Sequence, residues 1–281
     1  MVLGDGAFRG CTAFNPVALP SRLDGIPDDC FAHCRSLAIA ALPSQQLTTI
    51  GRGAFAWCRS FNPERLPDTL TAIMEGGFQY CSKLTLAEPG AIPDSVRMIG
   101  KEAFTGCHAF NPVALPKLLR VIKERTFSDC PSLILAAPGA IPDSVTTIEE
   151  AAFAGCTTFA PHSLPRQLAA IPDYAFEGCV SFAPSELPAD LTSIGVAAFR
   201  GCRSLALRAL PDSVSSIESG AFVGCELLAI TALPRELSRL GNEVFLKCPR
   251  SVRELAPAWK RQHGAVELYD SSESDNDVWN D

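Results

Sequence analysis

Three residues near the start of the chain have the types and spacing of metal ligands. Cys30, His33 and Cys34 lie in the segment CFAHC, and thiolate and imidazole are ligands that Zn²⁺ prefers in proteins. A closed zinc site needs four ligands, and the sequence has no second pair at a matching spacing. Cys34 belongs to a series that recurs along the chain, and Cys30 takes a position that carries alanine in other copies: Ala54, Ala103 and Ala152. We interpret CFAHC as structural and predict no metal site.

The other residues capable of catalysis also indicate structure. His108, His162 and His263 have no Ser or Cys partner in a recognisable motif, and the sequence contains no P-loop, H-E-x-x-H or G-x-S-x-G motif. The segment GDGAFRG loosely resembles a glycine-rich phosphate loop, but Phe8 within it belongs to the recurring series. We therefore predict no catalytic residue, no cofactor and no enzymatic activity.

The recurring series is the pair F-x-x-C, which occurs eleven times at steps of 23, 24 or 26 residues. Eleven copies in phase do not arise by chance, so the chain is a repeat array. The copies are Phe8/Cys11, Phe31/Cys34, Phe55/Cys58, Phe78/Cys81, Phe104/Cys107, Phe127/Cys130, Phe153/Cys156, Phe176/Cys179, Phe199/Cys202, Phe222/Cys225 and Phe245/Cys248.

Each repeat has a pattern that predicts its local structure. In the unit Leu187–Leu205, the stretch LTSIG suits a short strand, and the apolar spacing from Ile194 to Leu205 predicts one or two helical turns, either α or 3₁₀. One such unit cannot bury its own apolar residues, so successive units must stack. The sequence predicts an α+β repeat solenoid over residues 1–250, right-handed, of about 11 rungs. Each rung would contain a short parallel strand and a short helical turn.

Proline predicts where the strands stop pairing. Pro27 and Pro172 directly follow the strand Ile of their repeats, and proline has no N–H to donate to a ladder. We expect the sheet to be interrupted only at these two positions.

The unit IPDSVTTIEEAAFAGC, from Ile141 to Cys156, closely resembles the BspA-type leucine-rich repeat, which runs I-P-x-S-V-x-x-I-G-x-x-A-F-x-x-C-x-x-L. The resemblance covers residues 1 to about 250 and is specific, because it recurs ten or eleven times. It implies a leucine-rich-repeat solenoid. Members of the family are mostly surface or interaction proteins of bacteria and protists, and the repeat carries no catalytic residues.

The cysteines have two interpretations. Eleven of the twelve occupy the repeat position, and equivalent positions on adjacent rungs would lie about 5 Å apart, within reach of a disulfide. Their side chains should however all point into the core, which favours a column of buried thiols acting as small apolar groups. Such a column is safest in a reducing compartment.

Charge and hydropathy limit the partners. The chain has a net charge of −7, of which the segment Asp270–Asp281 carries −5. The near-neutral remainder has no Lys/Arg cluster, which argues against nucleic acid as a partner. The segment MVLGDGAFRG lacks the features of a signal peptide, and no apolar run approaches the roughly 18 residues of a membrane span. We expect a cytoplasmic protein, or alternatively a cell-surface protein whose N-terminus is truncated here.

Two segments depart from the repeat. The first is a three-residue insertion in AEPGAIPDSV and AAPGAIPDSV, two repeats apart. Insertions in solenoids map to loops on one face, often the binding face, and the simpler explanation is a harmless loop that was duplicated with its repeat. We predict that the two form a ridge at the border of a partner-binding surface, made of Glu88, Pro89, Gly90, Ala137, Pro138 and Gly139.

The second departure is the C-terminal region. Residues 251–264, with Trp259, are predicted to cap the last rung, and residues 265–281 form an acidic disordered tail. Ser272 and Ser274 each precede an Asp by three residues, a pattern typical of acidic-directed phosphorylation; a merely solvating tail is the alternative.

These observations together predict a monomeric, non-enzymatic scaffold that binds a protein partner. The alternative is a surface adhesion or recognition protein of the BspA-like type.

Overall fold

The computed structural model describes residues 3–263 as a stack of similar rungs. Each rung from the second repeat onward has a two-residue strand that ends five residues before the repeat Phe, and two short helices follow the last rung. The strands are β1 Gly25–Ile26, β2 Thr49–Ile50, β3 Ala72–Ile73, β4 Met98–Ile99, β5 Val121–Ile122, β6 Thr147–Ile148, β7 Ala170–Ile171, β8 Ser193–Ile194, β9 Ser216–Ile217 and β10 Arg239–Leu240; the helices are α1 Arg250–Arg253 and α2 Leu255–His263.

The strands pair in parallel with their sequence neighbours, in a register set by the repeat. Ile50 lies opposite Ile73 and Ile73 opposite Ile99, so equivalent residues face each other in every pair. The last residue of each strand, Ile or in β10 Leu240, is buried and the residue before it is at least partly exposed, as the alternation of a strand requires. The exposed side chains of the strands and of the few residues that lead into them form one face of the stack, which we call the strand face.

The strands form three sheets, β1–β4, β5–β6 and β7–β10. The break between β6 and β7 coincides with Pro172, as its missing N–H predicts. The interruption expected at Pro27 stays a prediction, because the strand position that it would separate from β1 includes Val2, outside the described residues. The break between β4 and β5 was not predicted, and no proline explains it.

The predicted helical turn is wrong in detail. The residues two before and two after each repeat Phe have positive φ, as at Asp29 (53°) and His33 (64°) beside Phe31. Alternate N–H groups point to different partners: that of Cys34 donates to Phe31 O in its own rung (3.0 Å), and that of His33 donates to Ala56 O in the next (2.7 Å). The segment is thus a series of turns with a second inter-rung ladder, because left-handed residues turn every other N–H along the stack.

The rung count is also slightly lower than predicted. Ten strands are present in the described residues, and the strand position of the first repeat falls at Val2 and Leu3, of which Val2 lies outside those residues. Its Phe8 nevertheless stacks on Phe31 with ring centroids 5.4 Å apart, so the first copy still packs as a layer.

The core is a continuous column of phenylalanine rings. Successive repeat Phe rings stack at 5.3–5.8 Å, as between Phe127 and Phe153 (5.4 Å) and between Phe153 and Phe176 (5.6 Å). In five repeats a second Phe packs against the first, as Phe159 does on Phe153 at 4.5 Å. The column supplies the rigid base on which the surface residues are arranged.

The sequence F-N-P occurs in three repeats, and its asparagine takes the place of a backbone acceptor between rungs. Asn62 precedes Pro63, and its side-chain oxygen accepts the backbone N–H of Thr85 at 2.9 Å. Asn15 and Asn111 accept from the next rung in the same way. At the C-terminal end, Leu255 and Trp259 of α2 are partly buried against the core.

Candidate functional site

The CFAHC segment has its two cysteines in the core and its histidine at the edge of the core. Cys30 and Cys34 are buried, and the half-buried His33 ring stacks on Trp57 with centroids 6.0 Å apart. Within residues 3–263, no group of three or more His, Cys, Asp or Glu side chains is placed to hold a metal ion. The segment therefore takes part in packing.

The repeat cysteines form a ladder of buried thiols. In ten successive rungs the Sγ donates to the carbonyl oxygen of the preceding rung's Phe, at 2.9–3.1 Å. All twelve cysteines are free, and Cys11 alone is exposed. Burial raises the pKa of Cys34 to about 11 and that of Cys156 to about 12. Because the thiolate is the reactive form, these buried thiols are poor nucleophiles.

The predicted ridge residues are exposed, and the two loops have the same construction. Residues 87–90 and 136–139 are exposed, and Gly90 and Gly139 have φ of 71° and 72°. Each loop closes with one turn: Ala91 N donates to Glu88 O at 2.9 Å, and Ala140 N to Ala137 O at 3.0 Å. Gly90 and Gly139 both face open space, since a Cβ added at either would meet nothing within 4 Å.

The loops are tied to the solenoid at their last residue. The carbonyl oxygens of Ala91 and Ala140 accept the N–H groups of Leu66 and Leu115, each from the rung before, at 2.8 Å. The loops thus project from the same edge, two rungs apart. They lead directly into the segments that end in β4 and β6.

A second surface, which the sequence did not indicate, lies on the strand face at the rungs of β4 and β5. We call it the central patch: Arg97, Met98, Leu118, Arg120 and Val121. Both arginines are exposed, Leu118 is 50% exposed and Met98 is 36% exposed. Arg97, Leu118, Arg120 and the neighbouring Ser144 line a shallow depression of about 250 Å³. The patch thus combines two cationic groups with exposed aliphatic surface.

Among the other eight rungs, the column of residues two before the last strand residue carries a threonine or serine in six, and Asp24 and Ala169 in two. Each of these hydroxyls donates to the preceding rung's backbone carbonyl, as Thr71 Oγ1 does to Thr48 O at 3.1 Å. Six residues behave in this way: Thr48, Thr71, Thr146, Thr192, Ser215 and Ser238. Arg97 and Arg120 occupy this column on consecutive rungs, at the unpredicted break between β4 and β5. The signal available in the sequence was the interruption of a Thr/Ser column by two arginines.

The ion pairs of the described residues leave the central patch cationic. None of them includes Arg97 or Arg120. The nearby Asp94 pairs with Lys117 at 2.8 Å, and this contact lowers the pKa of Asp94. The carboxylate of Asp94 is therefore already engaged.

A third feature is a stack of aromatic side chains on three consecutive rungs. His33, Trp57 and Tyr80 occupy a left-handed position that is glycine in six other repeats. Trp57 and Tyr80 stack at 4.1 Å, and the Arg59 guanidinium lies 5.5 Å from the Trp57 ring. Because these rings cover one another's faces, the stack offers mainly ring edges to a partner.

Two further points concern the C-terminal region and membranes. Ser272 and Ser274 lie outside the described residues. No helix within residues 3–263 has the length and apolar character needed to cross a bilayer.

Comparisons with known proteins agree with this architecture. The family model of the BspA type leucine rich repeat region matches six copies, over residues 2–89, 90–137 and 139–251. No curated protein shows a significant match. A leucine-rich cell surface protein from Faecalibacterium prausnitzii is similar in structure, with a TM-score of 0.51 and 24% identity over 90% of this chain and 71% of that one.

Two further solved structures show weaker similarity. A leucine-rich repeat protein from Bacteroides ovatus has a TM-score of 0.42 and 23% identity, over 90% of this chain and 84% of its own. A leucine-rich repeat protein from T. pallidum has a TM-score of 0.48 and 24% identity, over 89% of this chain and 92% of its own.

Proposed function

Because the chain belongs to the BspA-type leucine-rich repeat family, we propose that it is a non-enzymatic scaffold that binds a protein partner. The observation that carries the proposal is the central patch, where arginines and aliphatic side chains lie exposed together on the strand face. Protein interfaces are enriched in arginine and methionine relative to the rest of the surface, and the patch exposes both. The inserted loops lead into β4, whose rung carries part of the patch, and into β6, on the next rung beyond it, and so add a shape-defined edge to these rungs.

The remaining features support a protein partner over a small molecule. The depression at the patch has a volume of about 250 Å³, below the roughly 300–1,000 Å³ of usual ligand sites. The buried thiols are poor nucleophiles, which supports a role without catalysis. The sequence has no cluster of Lys and Arg, which supports a protein partner over a nucleic acid. We also propose that the scaffold acts as a monomer.

We further propose that the protein works in a reducing compartment such as the cytoplasm. Eleven of its twelve thiols are buried and unpaired, and ten of them belong to a ladder that oxidation would disrupt. A surface recognition role, the alternative, would require the same ladder to persist under oxidising conditions. The redox state of the thiols in protein isolated without reductant separates the two.

The test of the scaffold role identifies partners of the full chain in cells and then compares how two variants bind them. Proximity labelling with the full chain identifies candidates, and binding of each purified candidate is then measured. We expect Arg97→Glu with Arg120→Glu to abolish binding, because charge reversal at an interface adds repulsion and leaves buried charge unpaired. Arg166→Glu, an exposed charge reversal two rungs beyond Arg120 and three beyond Arg97, is the matched control and should bind normally. Equal binding by both variants would refute the central patch as the binding surface.

A separate arm tests the ridge. Deleting residues 88–90 and 137–139 restores the parent repeat length while keeping Ala91 and Ala140, whose carbonyls tie the loops to the preceding rung. We expect this protein to fold and to bind the partner more weakly. Unchanged affinity would mean that the ridge is only a duplicated loop.

A further inference from the structure

We propose that the acidic segment Asp270–Asp281 of this same chain docks on the central patch and competes with the protein partner there. The central patch and the acidic segment have complementary charges. The patch carries two arginines that have no acidic partner among the described residues, and the segment contains five carboxylates and no Lys or Arg. A carboxylate–guanidinium pair is the geometry that arginine matches best.

The central patch and the acidic segment also both contain apolar side chains that could contact each other. The segment combines its carboxylates with Val278 and Trp279, and Tyr269 precedes it directly. The patch combines its arginines with Met98, Leu118 and Val121, two of which are at least one-third exposed. An aromatic side chain laid on Leu118 would bury apolar area and bring the neighbouring carboxylates to the arginines. Charge alone would favour any cationic site, whereas this pairing favours the central patch.

The length of chain beyond α2 sets how far the acidic segment can extend along the stack. The patch lies on the rungs of β4 and β5, five or six steps from β10, or about 24–29 Å at the usual inter-strand spacing. Asp275 lies twelve residues beyond His263, the end of α2. Twelve extended residues span up to about 40 Å. Lys260 of α2 donates to Asn242 Oδ1 at 3.3 Å, so α2 ends close to the last strand and the acidic segment is long enough to extend as far as the central patch.

Docking of this segment supplies a regulatory role for the two serines. Ser272 and Ser274 lie among the carboxylates, and a phosphate on either adds a charge of about −1.5 to −2 at neutral pH. Phosphorylation would strengthen the contact with the arginines and so weaken partner binding. This inference uses the surface of the proposed function, but it predicts a contact that exists without any partner.

The test is zero-length cross-linking in the full chain. Arg97→Lys combined with Arg120→Lys keeps both positive charges and introduces amines that a carbodiimide couples to carboxylates in contact. We expect amide bonds between these positions and Asp270, Glu273, Asp275 or Asp277, located by mass spectrometry in the monomer band. Raising the ionic strength from about 0.1 M to about 1 M shortens the Debye length from about 10 Å to about 3 Å and should remove them.

The matched control is Arg166→Lys, an exposed position closer to the C-terminal end of the solenoid. A tail that samples the surface at random would couple to it at least as often as to the patch. Equal yields at the two sites would overturn the proposal, as would patch cross-links found only in dimers. Loss of partner binding in Arg97→Glu/Arg120→Glu with no tail cross-link would leave the scaffold role standing and refute tail docking alone.

Discussion

The thiol sulfur of Cys179 lies 3.0 Å from the carbonyl oxygen of Phe153, in the preceding rung. The same oxygen accepts the backbone N–H of Cys156, within its own rung, at 3.1 Å. Each such carbonyl thus satisfies both of its acceptor sites, one along the rung and one across it. The cysteine is therefore a small apolar residue that also donates a hydrogen bond between layers.

The first prediction is that the native protein has one reactive thiol. Cys11 is exposed and the other eleven cysteines are buried, so a thiol reagent should modify about one group per folded chain. In denaturant without reductant the count should rise to twelve. A denatured count near zero would mean that the cysteines are oxidised and would contradict the thiol ladder.

The second prediction is a loss of stability at alkaline pH. Burial raises the pKa of Cys156 to about 12, whereas a thiol in an unfolded chain ionises near about 8.5. Between these values the unfolded chain releases a proton that the folded chain keeps, so rising pH favours unfolding. Each such cysteine should lower the free energy of unfolding by about 1.4 kcal/mol per pH unit. Below about pH 8.5 it contributes no pH dependence.

Cys156→Ala provides the control for this effect. Denaturant unfolding between about pH 9.5 and pH 11, with reductant present, should show a slope smaller by about 1.4 kcal/mol per pH unit than in the parent chain. Parallel slopes for the two proteins would show that Cys156 does not resist ionisation in the folded state.

The third prediction is that Phe153→Ala severely destabilises the stack. The Phe153 ring is fully buried and contacts the rings of Phe127, Phe159 and Phe176, so its removal should cost about 3–5 kcal/mol. Val113→Ala, at a position 43% exposed, should change stability by less than about 0.5 kcal/mol. Calorimetry of the two variants checks this, and equal transition temperatures would contradict the continuous phenylalanine core.

The fourth prediction separates two neighbouring alanines. Ala151 has a φ of 51°, which costs a non-glycine residue about 1–2 kcal/mol, whereas Ala152 is not left-handed. We expect Ala151→Gly to be neutral or slightly stabilising, because relief of strain offsets the entropy of the added glycine. Ala152→Gly should destabilise by about 1 kcal/mol. If chemical denaturation shows that both substitutions lower the free energy of unfolding equally, the left-handed conformation of Ala151 would be contradicted.

The repeat could be predicted from the sequence because its signal is local and recurs eleven times. Phe153 and Cys156 belong to the core because each copy of F-x-x-C needs the same neighbours above and below. The conformation of the intervening turns could not be predicted in this way. Apolar spacing from Ile194 to Leu205 suits a helix, yet Ala197 is left-handed, because its N–H bonds to Ser219 in the next rung.

The sequence by itself determined the repeat length, the inward residues and the places where loops are inserted, since each depends on residues close together in the chain. Only the tertiary structure decided which outward residues become neighbours. Arg97 and Arg120 are 23 positions apart in sequence, and they lie side by side because stacking places equivalent positions on adjacent rungs. The exposure of Leu118 beside them depends on the same stacking. The central patch is thus a property of the stacked rungs, where side chains from separate repeats share one face.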